Sequence, residues 1–502
     1  MFGCSFNYTW QLRLKELLRD GLTELEKTRV IWIWICHHIE YDTKALKNAA
    51  LRTDNPEDIL RMGRGVCAGY SSLFQRMCRI AGVQCKTVSG YGKGAGYTVG
   101  QKIAGETNHA WNMVYLEGTW HLLDSTWGAG TMNSGTDKFT FQYNEFYFLT
   151  HPALFIESHL PENADCQLLE PHVSKNHFKQ MGLRESYFYS FGLLSSEPDK
   201  GIIETVNGKA SITVESRQHM QFIFNLNKTE NTGLVTYIEN KTRFDVYPQK
   251  PGKHVLDIFA NKSDSERAYT FVSSYIIDCK SVDTTIKFPK CLQAPNAPSW
   301  YTEKQGLFQP SHPHPIISTK DGCCAVSFTL KWDISVFCTL ECDDLQMTSE
   351  MTQRHIFQSK KEERIEFKVR LPRSGTYVLN MNFKEENSEN YTCGCSYLIV
   401  CTNPSVHWPV FPEDYTAWSE HHELVEPLDG ILTKNKNVFF KLHVPGVTGL
   451  SVQGTNLFPL TLSDQGYWEG ICDTGNCSEL YVACAYKETP NTLHYMLKYQ
   501  VQ

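Results

Sequence analysis

The chain has 502 residues, 41% of them hydrophobic and 12% aromatic, enough for several packed cores. Its net charge is −7 and no basic stripe runs along it, which excludes nucleic acid as a natural partner class. The opening "MFGCSFNYTWQLRLKE" lacks the long apolar core of a signal peptide, and the longest unbroken apolar run of the first half, "VIWIWIC", is far short of the about 20 residues a bilayer span requires. A soluble, intracellular protein with reduced cysteines is expected, with the sequons at Asn7, Asn227, Asn240, Asn261, Asn390 and Asn476 unused. The abrupt start suggests that an N-terminal region is missing.

In chain order, residues Leu12–Ile39 read as one or two helices, with Leu22, Leu25, Trp32, Ile35 and Ile39 near helical spacing. The run Val30–Cys36 fits a buried strand by composition, but its charged flanks favour a buried helix. A short helix "PEDILRM" follows, with Pro56 in its first turn. Cys67–Ala81 places Tyr70, Leu73, Phe74, Met77 and Ile80 on one helical face, closed by Gly82. "VQCKTVSGYG" reads as a strand running into a glycine-rich loop, Gly90–Gly105, that could flank a cleft.

"HAWNMVYLEGTWHLLDSTW" reads as a hairpin turning at Glu117–Gly118. That turn sets residue 116 opposite 119 and residue 111 opposite 124. His109, Trp111 and Asp124 then share one face, with His109 and Asp124 as diagonal neighbours.

Beyond about residue 190 helical periodicity fades. Alternating segments such as "ASITVES", "AVSFTLKW" and "NVFFKLHV" point to three β-sandwich-like domains, over 191–295, 310–403 and 424–502. Proline- and aromatic-rich connectors separate them. The charge-rich "KKEERIEFKVR" reads as a solvated turn and strand start.

Among 18 cysteines, Cys67 stands out. Nucleophilic catalysis by cysteine needs a thiolate, a base and an orienter for that base. A helix start lowers a thiol pKa through the positive end of the dipole, and Gly65 and Gly69 permit close backbone approach there. The hairpin supplies His109 as base and Asp124 as orienter. The Cys67 backbone N–H is one oxyanion donor; Trp32, Trp34 and Gln75 are candidates for a second. His37 and His38 read as helix-surface residues. "CDTGNC", "CGC" and "CC" lack the paired spacing of structural zinc sites, and no EF-hand or P-loop occurs, so neither metal nor cofactor is expected.

"GVCAGYSSLFQRMCRIAGVQCKTVSGY" followed by "NHAWNMVYLEGTWHLLDSTWG" resembles the transglutaminase-like superfamily and its papain-type core. The resemblance covers about residues 10–160, within a domain of 1–190, and includes the upstream "KTRVIWIWICHHIEYD". It implies an α+β transglutaminase-like (papain-like) fold with Cys67 as nucleophile, His109 as base and Asp124 as third member. "YNEFYFLTHPALFIESHLP" and the tail with "FPLTLSDQGYWEG" resemble a muscle branch of that superfamily. This implies a cysteine-type peptidase of the cytoplasm and cytoskeleton, near the muscle Z-disc. The implied partners are filamin-type and other sarcomeric proteins, and the implied role is in muscle growth and neuromuscular junction maintenance. A catalytically weak scaffold and a protein-crosslinking transglutaminase are the competing readings. The triad does not separate hydrolysis from transamidation, because both share the acylation step.

Overall fold

The computed structural model describes residues 18, 21–94, 96–103, 105–133, 138–229, 232–261, 268–292, 297–331, 334–344, 346–384 and 391–502. The start of the expected helical region (residues 12–17, 19 and 20), positions 95 and 104 of the glycine-rich loop, and the sequons at Asn7 and Asn390 lie outside the described residues.

The first helix among the described residues, α1 (Glu24–His38), begins at a capping box in which Thr23 and Glu26 satisfy each other's backbone N–H groups. Its buried side chains include Ile31, Trp32, Ile35 and Cys36, so the apolar run is a core helix, as its flanks indicated. Helix α2 (Pro56–Met62) starts on the Asn55 side chain, with proline in its first turn. Helix α3 (Cys67–Ala81) ends at Gly82, whose φ of +77° is the left-handed conformation that stops a helix. A Cβ on Gly69 would lie 2.6 Å from the Ile59 side chain, and one on Gly65 2.7 Å from it. Glycine is therefore what lets α2 and the start of α3 approach so closely.

Strands β1 (Cys85–Gly92), β2 (His109–Leu116), β3 (Thr119–Leu123) and β4 (His159–Pro161) form one antiparallel sheet in the order β3-β2-β1-β4. The β2–β3 hairpin pairs Leu116 with Thr119 and Asn112 with Leu123, the expected register. Glu117 and Gly118 turn it with φ of 51° and 86°. Asp124 follows β3 directly and caps a one-turn helix, α4 (Ser125–Ala129). The α-helices and sheet share one core built on Trp32, Tyr70, Leu73, Phe74, Trp111 and Leu123.

The rest of the chain is mostly strand. Thr270–Cys279, Gly252–Asn261 and Gln221–Leu226 form consecutive neighbours of one sheet, to which Ile202–Glu204 adds in parallel. Further on, Cys323–Leu330, Arg364–Arg370 and Ile356–Lys361 pair in one sheet, while Tyr391–Cys401, Gly375–Lys384 and Ser335–Glu341 pair in another. Their inner faces meet in a core that includes Val326, Phe328, Phe367, Leu379, Tyr397 and Ile399. A last pair of sheets is built on Asn437–His443 with Trp468–Asp473, and on Glu479–Tyr486 with Thr489–Val501, closing over Phe440, Val482 and Tyr499. The connector before this pair is packed rather than free: Trp408 Nε1–H donates to the Asp321 carbonyl at 2.6 Å and Phe411 is 1% exposed. The chain divides into two compact units, Met1–Glu230 with Lys250–Ser281, and Asn231–Gln249 with Val282–Gln502.

Candidate active site

Each of the three side chains singled out in the sequence sits where an element begins or ends. Cys67 is the first residue of α3, whose N-cap, Val66, offers no side-chain acceptor. The first N–H groups of a helix have no partner within it, so those at Cys67 remain available to a ligand. His109 opens β2 and Asp124 ends the hairpin. Both are buried, at 9% and 0% exposure.

His109 Nε2–H donates to Asp124 Oδ2 at 2.7 Å, leaving its other nitrogen free to serve the thiol. The second carboxylate oxygen accepts the backbone N–H groups of Thr126 at 2.8 Å and Trp127 at 3.2 Å, the capping bonds of α4. One side chain therefore caps a helix and orients an imidazole.

Sequence reasoning missed a fourth residue. His159, on β4, is 0% exposed and donates Nε2–H to the same Asp124 Oδ2 at 3.0 Å. Its Nδ1 accepts from the Ser158 hydroxyl at 2.8 Å. Strand β1 separates the two histidine-bearing strands, pairing Gly90 with His109 and Gly92 with His159. A Cβ on Gly92 would stand 3.0 Å from the His109 Cβ and 3.2 Å from its ring. Glycine between the strands is thus part of how both rings reach one oxygen. No spacing rule links residue 159 to 109; only the pairing of β4 with β1 brings them together.

The electrostatics follow from this packing. Burial alone would raise the Asp124 pKa, but His109 and then His159 hold it well below the usual carboxylate range. Burial alone would lower that of His109, but the Asp124 carboxylate overrides it and raises the pKa to about 10. His159 is driven down to about 4 by burial, against the pull of Asp124, so it stays neutral. At Cys67 burial works against ionisation, yet the facing His109 ring and the Ala110 backbone N–H outweigh it and draw the thiol pKa down.

Trp127 lies against both rings, with centroids 4.9 Å from His109 and 4.3 Å from His159; Trp111 lies at 5.9 and 5.1 Å. Of the candidate second oxyanion donors, Gln75 is spent on the Cys85 carbonyl at 3.2 Å, and Trp34 stacks on His38. Trp32 Nε1 is buried with no acceptor among the described residues. His37 and His38 are exposed on α1. Every cysteine among the described residues is a free thiol. Among those residues the one His/Cys/Asp/Glu group compact enough for a metal is His109, Asp124 and His159. Both rings spend Nε2 on one carboxylate oxygen, so the group is satisfied by its own hydrogen bonds.

The fold and this constellation define a transglutaminase-like core followed by β-sandwich domains. A model of the transglutaminase-like superfamily matches residues 13–125, and one of the KY-like, immunoglobulin-like domain matches 175–290 and 300–412. Mouse kyphoscoliosis peptidase is 47% identical over 489 residues, which cover 97% of this chain and 74% of that protein; the human protein gives the same figures. Drosophila melanogaster hillarin is 25% identical, over 74% of this chain and 50% of its own length. The chain belongs to the kyphoscoliosis peptidase family.

Proposed function

We propose that the chain is a cysteine-type acyl-transfer enzyme acting as a peptidase, with Cys67 as nucleophile, His109 as acid and base, and Asp124 as orienter. The observation that carries this is the buried His109–Asp124 hydrogen bond of 2.7 Å beside a thiol whose pKa is drawn down. The Cys67 thiolate adds to a substrate carbonyl, forming a C–S bond and an oxyanion. The Cys67 backbone N–H is one donor to that oxyanion, with the buried Trp32 N–H as the second candidate. Collapse breaks the C–N bond as His109 hands its proton to the leaving amine. Water then attacks the thioester, giving its proton to His109; the C–S bond breaks and an acid is released. His159 donates a second hydrogen bond to the same Asp124 oxygen as His109 and takes no proton.

The relatives named as peptidases and the resemblance noted in the sequence extend this reading to muscle cytoskeletal substrates, filamin-type or other sarcomeric proteins, near the Z-disc. The test is an electrophilic thiol probe applied at near-neutral pH to the wild type, Cys67→Ala and His109→Ala, followed by incubation of reactive protein with filamin. Selective labelling of the wild type and appearance of new carboxyl termini are expected. Equal labelling of all three proteins removes the reading; incorporation of an added primary amine in place of new termini replaces it with crosslinking.

A further inference from the structure

A cleft of about 650 Å³ opens on His109. Its walls are aromatic: Tyr41, Trp127, Phe139, Tyr147, Tyr187 and Phe271 all line it. Besides His109, two ionisable side chains line it, and they differ in kind. Lys93 is 2% exposed; its ammonium is 3.4 Å from the Met181 carbonyl and 4.4 Å from the centre of the Phe178 ring, and the acid nearest to it in effect is Glu157.

Glu185 has no such arrangement. It occupies the N-cap position of the short helix Ser186–Ser190 yet makes no capping bond. Its backbone N–H is fixed by the Val272 carbonyl at 2.9 Å, while its carboxylate has neither a cation nor a hydrogen-bond donor among the described residues. Burial alone raises its pKa, with no neighbouring charge contributing. A second wall group is similarly unspent. Thr126 is 5% exposed, and its hydroxyl has no partner among the described residues. The Thr126 backbone N–H donates to Asp124 at 2.8 Å, which ties this wall residue to the carboxylate that orients His109.

Glu185 is half-buried, and a carboxylate that has lost part of its water without a counter-charge is normally paired or neutralised. Aromatic faces attract cations through their quadrupoles, the more strongly when water is excluded. The ligand class that satisfies the carboxylate and the ring faces together is an organic cation carrying N–H donors. We propose that the cleft binds a basic side chain of a peptide lying across Cys67 and His109, with Glu185 as its counter-charge and the aromatic walls as its cation-binding surface. This rests on the acyl-transfer reading above and names its substrate class: protein segments with lysine or arginine next to the attacked carbonyl, recognised as a cation and not used as the attacking amine.

The experiment uses the full chain and two peptidyl vinyl sulfones that differ only in carrying arginine or its neutral isostere citrulline. Arginine cannot serve as an acyl acceptor, so recognition is read apart from crosslinking. Wild-type Cys67 is expected to react about tenfold or more faster with the arginine probe, and Glu185→Gln to bring that ratio close to one. In the wild type, an acetyl-arginine amide should also protect Cys67 from iodoacetamide better than the citrulline amide does, a comparison that needs no variant. Equal rates and equal protection in the wild type, or a ratio unchanged in Glu185→Gln, overturn the cation site alone. Failure of Cys67 to react with either probe overturns the acyl-transfer reading and this inference with it.

Discussion

The transglutaminase-like core and the β-sandwich tail use the same residue, cysteine, in opposite ways. In the tail Cys338 and Cys395 are buried among apolar side chains that push their thiols up, and Cys324 and Cys472 are pushed to about 12. Cys36 and Cys78 in the core behave the same way. Cys67 and Cys324 are both half-buried, yet the pKa of Cys67 goes down. The difference is therefore not exposure. It is one neighbour, His109, held charged by a carboxylate that four donors fix in place. Burial makes a cysteine inert unless an opposing charge is buried with it.

The sharpest way to break this contrast is Cys67→Ala. Thiol-probe labelling at neutral pH should fall by about a thousand-fold or more, whereas Cys338→Ala should leave it untouched; quantitative mass spectrometry of the labelled site reads both. Asp124→Asn comes next. It removes the charge that keeps His109 protonated, and the labelling rate should drop by about a hundred-fold or more, with the loss greatest near pH 7.

His159→Phe tests the fourth member. Loss of one hydrogen bond to a buried carboxylate should cost about 2 kcal/mol in denaturant unfolding and slow labelling by about tenfold. An unchanged labelling rate in the folded variant would remove His159 from the site and leave it a core residue.

The pH dependence of stability divides between the two histidines. His109 binds its proton more tightly in the folded state, with a pKa of about 10 against 6.5, so its contribution is full below pH 6.5 and is lost as pH rises towards 10. His159 is the reverse: at about 4 it resists protonation, so folding weakens as pH falls from 6.5 towards 4. Melting temperature should therefore peak near pH 6.5, and His159→Phe should flatten the acid side. The smallest effect on chemistry is expected from the tail. Tyr397→Ala empties a fully buried position and should cost about 3–5 kcal/mol there, yet leave Cys67 labelling unchanged.

Local rules carried much of this protein. The helix stop at Gly82 and the Glu117–Gly118 turn were legible because C-caps and tight turns are short-range chemistry, and the helix from Cys67 was legible from its apolar face. The turn in turn fixed the register that brings His109 to Asp124, because one residue of slip would move every side chain to the other face. The identity of α1 as helix was also legible, from charged flanks around an apolar run.

Three features were decided by tertiary structure alone. His159 reaches Asp124 only because β4 pairs with the far edge of β1, a contact between segments that no periodicity connects. Glu185 and Phe271 share a cleft wall with His109 although they lie far apart along the chain. The direction of each pKa shift follows from who is buried beside whom. The sequence by itself determined the elements and the pairing of His109 with Asp124, since both rest on neighbours within one turn or one hairpin. Only the packed fold determined which charges lose their water together, and that sets the difference between Cys67 and thiols such as Cys338 and Cys395 that burial pushes up.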